Sequence, residues 1–144
     1  MRIGEALLTE GLIKPEQLTI AVGEQQKTKE RLGDIIIKMG FVQSQQMAQF
    51  IAHHFNLPFV DLKTVYKTID PAVIRLIPEE LAHRFTILPM SLSGDILTIA
   101  MFDPLDVLAE DTVRIKTGLK VKRAVSFEVD IHEAIEYCYH QLPQ

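Results

Sequence analysis

Arg2 and Arg31 each stand two residues ahead of a glycine, Gly4 and Gly33, and the two Arg-x-Gly triplets lie 29 positions apart. A guanidinium is flat and permanently charged, so it stacks on an aromatic base or forks onto a phosphate. A glycine lets a ligand come close to the backbone. Leucine-like positions follow each triplet and offer apolar surface. A polar side chain closes each stretch, Gln25 in the first and His54 in the second.

These residues belong to a longer repeat. Residues 2–25 slide onto 31–54 with four identities, Arg2/Arg31, Gly4/Gly33, Gly11/Gly40 and Gln17/Gln46. Apolar residues coincide at Ile3/Leu32, Leu7/Ile36, Leu8/Ile37, Leu12/Phe41, Ile13/Val42, Leu18/Met47 and Val22/Ile51. A helical duplication that packs its apolar faces together explains those coincidences. It does not explain Arg-x-Gly. The helix dipole disfavours positive charge at a helix start, and an early glycine costs about 0.5–1 kcal/mol relative to alanine. The same local penalties in both copies point to a site. Two like half-sites suit a ligand with two-fold symmetry, and a cyclic dinucleotide, with two purines and two phosphates, has that form.

The elements that must position these residues follow from periodicity and punctuation. Ile3, Ala6 and Leu7 predict a short helix with Gly11 as a left-handed terminator. Pro15 opens a second helix with Leu18, Ala21 and Val22 on its apolar face. The second copy repeats the pair, ending near Phe55. Pro58 in "NLPF" marks a boundary between subdomains at 1–55 and 56–144. Beyond it, "FVDL" reads as extended. Asp70-Pro71 caps a helix through Leu76, and Pro78 starts another through Arg84. The apolar runs on either side of Ser93-Gly94-Asp95 predict a hairpin. Asp103-Pro104 reads as N-cap and first helical residue of a helix using Leu105, Leu108, Ala109 and Val113, stopped by Gly118. "LKVKRAVSF" suits an edge strand, and Asp130 introduces a last helix through Cys138. The fold class is α+β: a helical tandem-repeat subdomain, then a small α+β subdomain with a short antiparallel or mixed sheet.

Composition bounds the function. The 144 residues are 47% hydrophobic and 24% charged, as in a soluble globular protein. No apolar run reaches the roughly 20 residues of a membrane helix, and the start lacks the pattern of a signal peptide. One cysteine, Cys138, forms no internal disulfide and fits a reducing cytoplasm. The net charge of −4 falls after residue 55, because residues 1–55 hold six basic and six acidic side chains. That neutrality argues against a helix-turn-helix and against a nucleic-acid polymer as partner. His53-His54 lies in no HExxH or paired-cysteine spacing, so no metal is expected. The chain has no G-x-x-x-x-G-K-[ST] and no recognisable catalytic constellation, and is read as non-enzymatic.

The pattern R-[LI]-G-x-x-x-x-x-x-G-[LF]-[IV]-x-x-x-x-[LM]-x-x-x-[VI]-x-x-[QH], twice with a five-residue spacer, resembles the MshEN domain. That domain is the amino-terminal, cyclic di-GMP-binding region of many type II secretion and type IV pilus assembly ATPases. The segments "LPFVDL", "LIPEELAHRFTILPM", "LTIAMFDPLDV" and "TGLKVK" carry the resemblance through the rest of the chain. It implies that Arg2, Ile3, Gly4, Leu18, Val22 and Gln25 hold one half of the ligand. Arg31, Leu32, Gly33, Asp34, Met47, Ile51 and His54 hold the other, and Asp103 of "MFDPLD" adds a contact from the second subdomain. Ile3, Val22, Met47 and Ile51 stand where the family usually has leucine, a change that conserves volume. The resemblance also implies a P-loop motor domain further along a longer parent chain, with "HQLPQ" ahead of a linker. An inner-membrane platform protein is the implied partner, and the location is cytoplasmic, peripheral to that membrane. A module that docks the ATPase to that partner without nucleotide is the alternative.

Overall fold

The computed structural model describes residues 3–104 and 106–140. Arg2 and Leu105 lie outside the described residues, as does the tail from Gln141.

The repeat in sequence is a repeat in space. Helix α1 (Ile3–Thr9) recurs as α3 (Leu32–Lys38), and α2 (Pro15–Thr28) recurs as α4 (Ser44–His54), with starting residues in the register of the duplication. Gly11 and Gly40 take φ of 76° and 79°. In each copy the glycine and its successor close the helix with paired backbone bonds. Gly11 N–H donates to Leu8 and Leu12 N–H to Leu7, both at 3.0 Å; Gly40 donates to Ile37 at 2.9 Å and Phe41 to Ile36 at 3.1 Å. This double closure needs a left-handed residue, which glycine supplies. The Gln17/Gln46 identity is explained here too. Lys14 N–H donates to Gln17 Oε1 at 2.8 Å, and Gln43 N–H to Gln46 Oε1 at 3.2 Å. Each glutamine reaches back to satisfy an orphan donor at the start of its own helix.

The later part follows in the order α5 (Leu62–Val65), a 3₁₀ turn (Tyr66–Thr68), α6 (Pro71–Ile74), α7 (Glu79–Phe85), β1 (Ile87–Ser93), β2 (Ile96–Met101), α8 (Val107–Thr117), β3 (Lys120–Val125) and α9 (Glu128–His140). The sheet order is β1-β2-β3. β1 and β2 form the antiparallel hairpin, turning at Gly94, and α8 returns the chain so that β3 runs parallel to β2 at the edge. The sheet is therefore mixed. It divides two apolar clusters. Ile87, Leu97, Ile99 and Met101 meet Ala109 and Val113 of α8. Leu88, Ala100 and Val125 join Leu7, Ile36 and Met47 of the repeats and Ile135 of α9. The repeats thus share a core with the β-containing part. Cys138 is buried in it.

Several local expectations are corrected. Asp103 does not cap α8. Asp106 N–H donates to the Asp103 carbonyl at 3.2 Å, so a turn closes first, and Asp106 Oδ1 then accepts from Ala109 N–H at 3.0 Å. The later start also turns Leu108 outward, 61% exposed. Only Phe59 of "FVDL" makes a bridge, to Val125, because Asp61 caps α5 directly afterwards. Helix α6 ends at Ile74 rather than Leu76. Helix α9 starts two residues before Asp130, which is buried in its first turn.

Candidate ligand-binding site

Two adjoining hollows open beside the repeats. The larger, of about 490 Å³, is lined by Ile3, Gly4, Glu5, Leu18, Val22, Gln25, Arg31, Leu32 and Asp103. The smaller, of about 80 Å³, is lined by Ile3, Arg31, Leu32, Gly33, Asp34, Ile51, Phe102 and Asp103. Ile3, Arg31, Leu32 and Asp103 border both, so they mark the junction. First-copy residues dominate one hollow and second-copy residues the other.

The two halves are alike in sequence but not in exposure. Val22 is 36% exposed, whereas its counterpart Ile51 is 2% exposed and Met47 is fully buried. The β-containing part packs against α4, whereas α2 stays largely open. Met47 consequently lines neither hollow and lies beneath Gly33, its Cε 4.0 Å from where a Cβ would stand. His54 lines neither hollow as well. Its ring stacks on Phe50, with centroids 5.3 Å apart, and meets Phe55 edge-on. Arg2 lies outside the described residues. The other eleven sequence-derived positions line one hollow or both.

The glycines also differ. A Cβ on Gly4 would stand 2.7 Å from Leu18 Cδ1 and 3.1 Å from Leu32 Cδ2, so close helix packing forbids it unless those side chains shift. A Cβ on Gly33 would meet Ile3 Cδ1 at 3.8 Å, an ordinary contact. Packing therefore accounts for Gly4 and not for Gly33.

Arg31, at the N-cap of α3, spans the junction. Its Nη2 donates to Asp106 Oδ2 at 3.0 Å, and its Nε is 3.9 Å from Asp103 Oδ2. The loop after β2 thus supplies the negative charge that offsets a cation at a helix start. That loop is itself held to β3, since Arg123 donates to the Pro104 carbonyl. Sequence reasoning missed Phe102 and Glu5. Phe102 directly precedes Asp103, so a strand running into the site was its available signal. Glu5 is the first-copy counterpart of Asp34.

Asp34 lies in the first turn of α3. Burial, chiefly, with Glu128 next, raises its pKa from 3.8 to about 6, against the lowering effect of Arg31. Its Oδ1 is buried with no hydrogen-bond partner among the described residues. Such an acceptor lining a hollow is suited to a donor on a ligand. The raised pKa also fixes a sign. The fold favours the protonated form, so this contribution is fully present below 3.8 and is lost as pH rises through about 6. Asp34→Asn is expected to raise stability at neutral pH by about 1 kcal/mol, after discounting the shift for solvent screening. Urea unfolding across this pH range tests it: the variant's advantage should vanish on the acid side.

Comparison with known proteins decides the family. The MshEN domain family model matches residues 55–144, the part that follows the repeats. The chain belongs to the MshEN domain family. This MshEN domain is 35% identical over 138 residues to the type IV pilus assembly ATPase PilB of Myxococcus xanthus, covering 96% of the chain and 24% of that relative. It is 28% identical to the type II secretion system protein E of Xanthomonas campestris, covering 97% of the chain and 25% of that relative. It therefore spans about a quarter of these relatives' length. A structure of MshE with cyclic di-GMP superposes with a TM-score of 0.82 at 31% identity, covering 96% of the chain and 99% of that one. The match includes the repeats that the family model leaves out. Among the described residues no helix is long and apolar enough to cross a membrane.

Proposed function

We propose that this MshEN domain binds one cyclic di-GMP across its two repeats and regulates an attached type IV pilus or type II secretion ATPase. The observation that carries the reading is the junction of the two hollows. Ile3 comes from the first copy, Arg31 and Leu32 from the second, and Asp103 from the loop after β2. A two-fold ligand laid across that junction engages both copies and the β-containing part together. Arg2, Met47 and His54 belong to the same proposed site, Met47 as the floor under Gly33 and His54 as a packed neighbour of Phe50. The motor domain of a longer parent chain and an inner-membrane platform protein are the partners in this reading, at the cytoplasmic face of that membrane.

Titration calorimetry with cyclic di-GMP, with GMP and GTP as controls, tests the proposal. One ligand per chain is expected, with each control far weaker because it fills one half alone. Equal heats for GMP and the cyclic dinucleotide would reject the two-half arrangement. The docking alternative has its own supporting observation. Val107, Leu108 and Ile115 of α8 are 64%, 61% and 85% exposed, an apolar face of the kind partner proteins cover.

A further inference from the structure

Glu79 and His83 stand four residues apart on α7, and Glu136 and His140 stand four apart on α9. Side chains at that spacing share a helix face, and the packing of the two helices turns these faces toward each other. His83 Nε2 is 3.0 Å from Glu79 Oε2 and 3.6 Å from Glu136 Oε1. His140 Nε2 is 3.3 Å from Glu79 Oε2, and its Nδ1 is 3.5 Å from Glu136 Oε2. One ligand atom from each of Glu79, Glu136 and His140 lies within 4.8 Å of the other two. Neither hollow of the candidate ligand site includes any of the four.

The scaffold around the cluster is fixed. Tyr139, beside His140, donates its buried hydroxyl to the Ile77 carbonyl at 2.8 Å, which holds the end of α9 against the start of α7. The four side chains remain accessible, between 39% and 59% exposed, so an ion can reach them without opening the fold.

The donor set selects the ligand. Two imidazoles and two carboxylates suit a divalent ion of borderline softness such as Zn²⁺, whereas Ca²⁺ and Mg²⁺ prefer oxygen alone. Bonds of roughly 2.0–2.2 Å to tetrahedral Zn²⁺ place the donor atoms about 3.3 Å apart. The separations of Glu79 Oε2 from His83 Nε2 and His140 Nε2, 3.0 and 3.3 Å, are close to that edge, and Glu136 joins Glu79 and His140 with one donor atom within 4.8 Å of theirs. A pair of i,i+4 helix ion pairs would account for two of these contacts. The two that cross between the helices, His83 to Glu136 and His140 to Glu79, are what bring donors of α7 and α9 together.

We propose that Glu79, His83, Glu136 and His140 form a Zn²⁺ site that staples α7 to α9. The test uses the untagged chain after chelator treatment, titrated with Zn²⁺ by calorimetry and with Co²⁺ by visible absorption. One Zn²⁺ per chain, intense four-coordinate Co²⁺ bands and a Zn²⁺-dependent rise in Tm are expected. The double variant His83→Ala/His140→Ala alters only half-exposed side chains and should keep its fold. It should lose at least about tenfold in affinity, the loss seen even when outer-shell partners of a metal are removed, and its Tm should no longer respond to Zn²⁺. Glu136→Gln provides a second arm, with weaker binding and unchanged metal-free Tm. No saturable binding in the micromolar range, an octahedral Co²⁺ spectrum, or wild-type affinity in the double variant would each overturn the site.

Discussion

Arg31→Ala should weaken cyclic di-GMP binding by about 5- to 150-fold, equivalent to about 1–3 kcal/mol, the range for one forked or stacked guanidinium contact. Arg31 borders both hollows, so its loss strips the junction rather than one half. The guanidinium is also paired with Asp106 at 3.0 Å. A ligand that recruits Arg31 must compete with that carboxylate, which makes the measured loss smaller than the contact itself. The variant also leaves Asp103 and Asp106 without this cation, and a partly exposed pair of this kind is worth about 0–1 kcal/mol in stability. Asp106 Oδ1 still accepts from Ala109 N–H, so α8 keeps its cap. Folding and binding are therefore separable: Tm should move little while affinity falls. Arg31→Lys retains the charge without the planar fork and should fall between the two. Calorimetry on all three proteins at matched salt decides the matter, and wild-type affinity in Arg31→Ala would remove the residue from the site.

The duplicated helices were legible because their signals are local. Left-handed glycines, Pro15 and apolar spacing act within one or two turns, and α1 and α3 fall in the register that the repeat dictates. The hairpin was legible at Gly94 for the same reason. What was not legible depends on distant partners. The Asp103/Asp106 choice of cap turns on where the chain leaves β2, and both aspartates precede apolar residues in sequence. The asymmetry between Val22 and Ile51 follows from the β-containing part packing on α4, which no property of the repeat encodes. His54 follows the motif in sequence, yet its ring is drawn to Phe50 and Phe55. The Gln17/Gln46 identity shows the converse, a shared residue whose reason is a helix start and not a ligand. The family model matches 55–144, while the repeat pattern lies wholly before it. The repeat pattern and the family model thus rest on different residues, while the segments after Pro58 fall within the range that the model matches.

That separation between packing and ligand reasons gives the sharpest test at the glycines. Gly33→Ala should lower cyclic di-GMP affinity while leaving the protein as stable as before, or more so. Alanine inside a helix is favoured over glycine by about 0.5–1 kcal/mol. Gly33 is within α3, is absent from the positive-φ residues, and would place its Cβ no closer than 3.8 Å to a neighbour. Nothing in the fold opposes the methyl group. It would, however, project where Ile3, Arg31, Leu32 and Ile51 line the smaller hollow. An intruding group in a fitted space costs about 1–3 kcal/mol, so affinity should fall about 5- to 150-fold with Tm unchanged or raised. Gly4→Ala has a different signature, because its Cβ meets Leu18 and Leu32 within the helix packing. There stability and affinity should fall together, as Leu18 is pushed toward the larger hollow it lines. If Gly33→Ala bound the ligand as tightly as the parent chain, the repeated glycine would have no ligand reason in the second copy, and the backbone of α3 could not be the surface on which the dinucleotide rests.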